Sequence, residues 1–125
     1  MDENAVGKTV LGCALKVHRA LGPGLLENAY EACLAHELAK SGLAYQRQLA
    51  MPVAYDGVRV ELGYRLDLLV EDLVVVEVKA VERLTDVHRA QVISYLKLGG
   101  YRLGYVLNFN VAVLKDGIWR VVNGL

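Results

Sequence analysis

Val6, Val10, Cys13, Val17 and Leu21 recur at spacings of three and four, which marks one apolar face of a helix. Gly22-Pro23-Gly24 stops it. A second helical stripe follows at once in Leu26, Tyr30, Leu34 and Leu38 and ends at Ser41-Gly42. The period then changes. Residues 45–55 and 58–70 carry β-branched and aromatic side chains on either side of Asp56-Gly57, a two-residue hairpin signal. Leu73 to Lys79 predicts a strand whose first half is apolar on both faces, as a doubly covered central strand requires. Thr85 or Asp86 can cap a third helix that runs to Leu98 and stops at Gly99-Gly100. Tyr101 to Phe109 predicts another strand, and Val111–Lys115 with Ile118–Val122 a last hairpin about Asp116-Gly117. The order ααβββαββ predicts an α/β fold: a mixed sheet with helices packed on it.

At 125 residues the chain fits one domain, 1–125, with room for a real core. The hydrophobic fraction is 54% and the mean hydropathy +0.29, yet no run approaches the roughly 18 apolar residues of a membrane span. The start, Met-Asp-Glu-Asn, lacks the basic and then apolar pattern of a signal peptide, so a cytoplasmic protein without a membrane partner is expected. Cys13 and Cys33 sit in the two helical patterns with no CxxC or Cys/His cluster, and are expected to be buried, reduced thiols acting as small apolar groups. Fourteen basic residues balance fourteen acidic ones. That balance argues against tight non-specific grip on nucleic acid, and leaves room for a local basic cleft.

Candidate chemistry lies at the end of the predicted central strand. Glu77 and Lys79 are two apart and emerge on the same face, with Val78 on the other. Asp67 comes late in the preceding strand. A strict two-residue turn at Glu71-Asp72 would pair Asp67 with Val76 and put it on the wrong face. An odd-length loop, such as Val70 to Asp72, or a bulge near Asp67 restores the correct face, so one of these is predicted. Two adjacent carboxylates suit a hard divalent cation such as magnesium, which prefers oxygen ligands and keeps several waters. Such an ion would polarise a phosphoryl oxygen and lower the pKa of bound water, while a neighbouring lysine orients the water or stabilises charge on the phosphate. The same three residues also suit a salt-bridged sheet end.

Three further stretches bear on that choice. Gly24-Leu-Leu-Glu27-Asn-Ala-Tyr30 reads GxxExxY and follows His18-Arg-Ala-Leu-Gly-Pro; Tyr64-Arg-Leu-Asp67-Leu-Leu-Val and Val-Val-Val-Glu77-Val-Lys79-Ala come later. Together, from about Val17 to Val122, they closely resemble the GxxExxY protein family of the PD-(D/E)XK nuclease superfamily. The resemblance implies a restriction-endonuclease-like αβββαβ core, with Asp67 and Glu77 as metal ligands, Lys79 as catalytic lysine, and Glu27 as a further ligand, direct or through water. Gln91-Val-Ile-Ser-Tyr95 looks like the Gln-xxx-Tyr element of the recB-like branch. Gln91 and Tyr95 are four apart and share a helix face with His88, one turn earlier. His18 and His88 are offered as cleft-lining candidates beside the site, and Tyr30 as a supporting aromatic whose plainer role is core. Glu27 alone equally suits a helix's first turn, where acids complement the dipole.

The function expected from the resemblance is a nuclease dependent on Mg²⁺ (or Mn²⁺) that hydrolyses phosphodiester bonds of DNA or RNA through metal-activated water. The alternative is a catalytically idle module that keeps the fold and binds nucleic acid or protein. A bare core of this size has little surface for choosing a sequence, so a homodimer or protein partner is an added expectation. The final hairpin with Trp119 is the candidate surface for it.

Overall fold

The computed structural model describes residues 1–61 and 64–125. Helix α1, Glu3–Leu21, begins where the Asp2 carboxylate accepts the Ala5 N–H at 2.8 Å, and it ends at Gly22, whose φ of 66° few other residues adopt. Helix α2, Glu27–Lys40, follows after the Gly-Pro-Gly turn. Strands β1 (Tyr45–Ala50), β2 (Val53–Tyr55), β3 (Val58–Val60), β4 (Arg65–Val70) and β5 (Val74–Lys79) come next, then α3 (Asp86–Gly99), β6 (Leu103–Asn108), a single 3-10 turn at Leu114–Gly117, and β7 (Ile118–Val122). Thr85 caps α3 in a capping box with His88, and Gly100, in the left-handed region, ends it.

Five strands form one mixed sheet in the order β1-β4-β5-β6-β7. Among the described strands only β5 and β6 run parallel, joined through α3. The alternation of β5 divides the core. Val74, Val76 and Val78 pack toward α1 and α2 with Val6, Val10, Leu34 and Leu38; Val75 packs toward α3 with Val92 and Leu96. Strand β5 is thus buried on both faces, as its unbroken apolar run predicts, and each fully buried valine contributes roughly 1.5–3 kcal/mol. At Gly104, a Cβ would come 2.8 Å from a Val92 methyl and 3.3 Å from Leu96, so the glycine lets α3 lie close on the sheet.

The departures from expectation have local causes. The predicted strands 45–55 and 58–70 are each interrupted: β2 and β3 form the expected hairpin about Asp56-Gly57, but as a separate two-stranded sheet, while β1 pairs with β4. Pro52 lies in the gap between β1 and β2, where it cannot donate to a ladder. Residues 111–113, expected to begin the last hairpin, are not a strand. Phe109 and Leu114 turn into the core on the α1–α2 side, the stretch between them reverses the chain, and β7 pairs antiparallel with β6 itself. The alternating valines at 111 and 113 are therefore loop residues, with Val113 left largely exposed.

Candidate active site

The loop between β4 and β5 is odd in length. Leu68 faces Val76, Leu69 faces Val75 and Val70 faces Val74, leaving Glu71-Asp72-Leu73 as a three-residue connection. Its parity agrees with the expectation, one residue later than Val70–Asp72. Glu71 and Asp72 both take positive φ, and the Glu71 carboxylate reaches back to the Ala44 N–H. Continued in this register, the ladder sets Asp67 opposite Glu77.

At that point the backbone ladder of β4 and β5 gives way to side chains. The Asp67 N–H donates to Glu77 Oε1 at 3.1 Å, and the Val78 N–H donates to Asp67 Oδ2 at 2.8 Å. The two carboxylates stand in for the missing rungs, which ties each to the opposite strand. Across the other edge of β4, Gln48 has a φ of 53° and its amide donates to both Asp67 Oδ1 (3.3 Å) and Glu31 Oε1 (2.8 Å). A left-handed glutamine costs about 1 kcal/mol or more, and such strain gathers where geometry is being held for a purpose. Glu31 is buried and its other oxygen takes two bonds from Arg47, at 3.0 and 2.8 Å.

Electrostatics follow from this crowding. Glu77 is 3% exposed. Burial first, and then the negative charge of Asp67, push its carboxyl up to about 8, against the pull of the Asp67 N–H and Lys79. Burial also raises Asp67, with Glu31 adding repulsion and the Val78 N–H and Lys79 opposing it. Two adjacent carboxyls, Glu77 buried and Asp67 half-buried, that resist joint ionisation make a place where a cation replaces a proton. Among the described residues, no three His, Cys, Asp or Glu side chains gather closely enough to enclose an ion. A pair of carboxylates with the rest of the shell left to water and phosphate oxygens is the manner of magnesium rather than of a closed protein cage.

The remaining expected residues fall into two groups. Lys79, His88, Gln91 and Tyr95 line one cleft of about 870 Å³ on the α3 side of the sheet, with Val53 and Tyr64 across from them. Gln91 donates to the Tyr95 hydroxyl at 3.1 Å, as their spacing of one helical turn permits. The Tyr95 hydroxyl is held above its ordinary value by burial and then by the field of Glu77, so this face lies within electrostatic reach of the carboxylates. His88 Nδ1 accepts from the Thr85 N–H, which leaves Nε2 as the ring's donor.

Glu27, Tyr30 and His18 lie on the helical side. Glu27 is the first residue of α2, and its Oε2 accepts from the N–H of Ala80, one residue past Lys79, at 3.2 Å. It borders the end of β5 but is not gathered with Asp67 and Glu77 into a three-ligand group. Tyr30 is fully buried, stacked on Phe109 with centroids 4.6 Å apart; its hydroxyl donates to the Gly22 carbonyl at 2.6 Å and accepts from the Leu25 N–H. Tyr30 thereby fastens the turn that launches α2 and aims Glu27. That turn also needs Gly24, whose φ is 106°. His18, expected as a cleft residue, instead bonds the Val111 carbonyl at 2.8 Å and secures the loop after β6. It does not line the cleft, because its face of α1 packs on that loop.

Three residues of this neighbourhood escaped the sequence reading. Glu31 lies one turn after Glu27 on the same helical face, a signal that was there to use. Asn108 is a polar residue in an apolar strand; buried beside Lys79, it bonds the N–H and carbonyl of Val81 and so fixes the exit from β5. Gln48 offered no signal, since its role depends on its unusual backbone.

A family model described as the PD-(D/E)XK nuclease superfamily matches residues 4–121. No curated protein and no solved structure matches the chain. The match covers nearly all of the chain, which therefore belongs to the PD-(D/E)XK nuclease superfamily. Its five-stranded mixed sheet flanked by helices is consistent with a restriction-endonuclease-like fold, and its function is nuclease-like in general kind.

Proposed function

We propose that this member of the PD-(D/E)XK nuclease superfamily is a nuclease dependent on Mg²⁺ or Mn²⁺, hydrolysing phosphodiester bonds of DNA or RNA as a single domain of the GxxExxY kind. The observation that carries the reading is the Asp67–Glu77 pair, each carboxylate tied to the other strand's backbone, on a strand that presents Lys79 two residues on. Asp67 and Glu77 would hold the cation, with Glu27 as a further ligand, direct or through water. When bound, the cation polarises the scissile phosphoryl oxygen and lowers the pKa of the attacking water. Lys79 places an ammonium beside the phosphate, where it orients the nucleophile and offsets developing negative charge. Gln91 and Tyr95, paired on α3, orient the substrate in the manner of the recB-like branch.

No helix of the described residues is long and apolar enough to cross a membrane. The test is cleavage of labelled single- and double-stranded DNA and RNA with magnesium or manganese, comparing the native chain with Lys79→Ala. Cleavage by the native chain alone, stopped by chelator, supports the reading. Absence of cleavage by folded protein at high concentration refutes it in favour of an idle binding module.

A further inference from the structure

The cleft beside Lys79 differs in chemistry from a groove made for a nucleic-acid backbone. A backbone groove is lined by lysine and arginine along its length. Here the walls are largely apolar. Tyr64, Val87 and Leu98 are exposed large hydrophobic side chains, 49%, 75% and 41% accessible, and all three face this one cleft. Singly exposed apolar residues need no explanation, but three around one concavity that leads to Lys79 do. Tyr95 adds a second aromatic on α3, and Gln91 and Ser94 add short polar groups able to meet the edge of a base.

Charge narrows the choice of occupant. Among the described residues that line the cleft, the ionisable ones are Lys79, His88, Lys97 and two tyrosines, with no carboxylate. A largely apolar lining that also carries Lys79 and Lys97 complements a ligand that is flat and apolar in part and anionic along one side. A nucleotide strand with its bases unpaired has that character, whereas in a duplex the base faces are stacked and closed. The volume, about 870 Å³, is at the upper end of small-ligand sites and accommodates a base with its sugar and neighbours.

We propose that this cleft receives an unpaired base of a single-stranded nucleic acid, stacked against Tyr64 opposite the Gln91–Tyr95 face of α3, with the adjoining phosphate over Lys79. The placement of that phosphate rests on the nuclease reading above; the capture of the base does not. The separate β2–β3 hairpin supplies Val53 to the same wall and carries the exposed Tyr55 and Val58 just beyond it. The strand would therefore enter between the hairpin and α3.

The test is fluorescence anisotropy in chelator with labelled oligothymidylate, oligouridylate, the same-length abasic backbone, and a duplex. It is run on the native chain and on Asp67→Asn, which lowers carboxylate repulsion of the phosphate. Base-bearing single strands are expected to bind at least about tenfold more tightly than the abasic strand or the duplex, since stacking on one aromatic is worth about that or more. Tyr64→Ala should lose roughly tenfold for base-bearing strands and nothing for the abasic one, while Tyr64→Phe retains binding. Val87→Glu, at a 75% exposed position that threatens no core, should weaken the single strand as well. Equal affinity for abasic and base-bearing strands, or duplex bound as tightly, overturns the inference even if magnesium-dependent cleavage is found. Base-dependent binding without any cleavage upholds it while the nuclease reading falls.

Discussion

Replacing Glu77 by glutamine should stabilise the metal-free protein at neutral pH, although it removes a group of the site. The carboxyl sits 3% exposed beside Asp67 and is pushed from 4.5 to about 8 by burial and then by that neighbour's charge. Because the folded value lies above the unfolded one, the native state holds a proton that the unfolded chain releases between those limits. The associated stability is complete below about pH 4.5 and is lost as pH rises through 8, at about 1.36 kcal/mol per pH unit. Across the whole window the loss comes to about 5 kcal/mol, and by pH 7 to about 3 kcal/mol. Against the roughly 5–15 kcal/mol that holds a domain together, this is a large share. Glutamine keeps the shape and the Oε1 acceptor for the Asp67 N–H at 3.1 Å, but has no proton to lose.

Urea unfolding in chelator, followed by far-ultraviolet circular dichroism at pH 5, 6, 7 and 8, measures the effect. The native chain should weaken steadily with pH. Glu77→Gln should follow a flatter line and exceed it by about 3 kcal/mol or more near pH 8. Every other titrating group is common to both proteins, so the difference between the two profiles isolates the Asp67–Glu77 pair. Added magnesium should restore the native chain more at pH 8 than at pH 5, since the cation competes with the proton, and should help the variant much less. Parallel profiles, or native stability that rises with pH relative to the variant, would refute the account of the pair.

Other perturbations test other links. Lys79→Ala should leave the melting curve nearly unchanged at this half-buried strand end, and reduce any cleavage rate by about 10²–10³ or more, read by single-turnover kinetics. Arg47→Ala strands the buried Glu31 carboxylate without its two guanidinium bonds and should cost about 2–3 kcal/mol in urea unfolding; an unchanged midpoint would show that Glu31 needs no partner. Tyr30→Phe deletes the bonds to Gly22 and Leu25 while keeping the stack on Phe109, so a loss of about 1–2 kcal/mol is expected, with faster amide exchange in the first turn of α2. Gly104→Ala drives a methyl to 2.8 Å from Val92 and should cost about 1–3 kcal/mol, displacing α3 from the sheet; a neutral result would mean the helix moves freely there.

The helices, the doubly buried strand β5 and the tip of the β2–β3 hairpin were all legible in the chain before it folds. Each is written in local period or in turn chemistry: apolar residues every third or fourth place in α1, an apolar run of valines before Glu77, an Asp-Gly turn with positive φ. Local period also dictates that Glu77 and Lys79 share a face, because strand alternation admits nothing else, and that Gln91 and Tyr95 meet across one turn of helix. Even the odd length of the β4–β5 loop was legible, once Asp67 and Glu77 were required to face each other.

What lay beyond the sequence depends on contacts between distant segments. His18 and His88 are each a lone histidine on a helical stripe, yet one holds the loop after β6 and the other lines the cleft. Their place on a stripe does not say which of them reaches the cleft, because what packs against a helix is chosen by the rest of the chain. The valines at 111 and 113 alternate like a strand, but β7 already completes the edge of β6, so they become a loop anchored by Phe109 and Leu114. Gln48 is the sharpest case. Its positive φ and its bonds to Asp67 and Glu31 exist only because β1, β4 and α2 meet there, and a local pattern carries no information about a meeting of three elements.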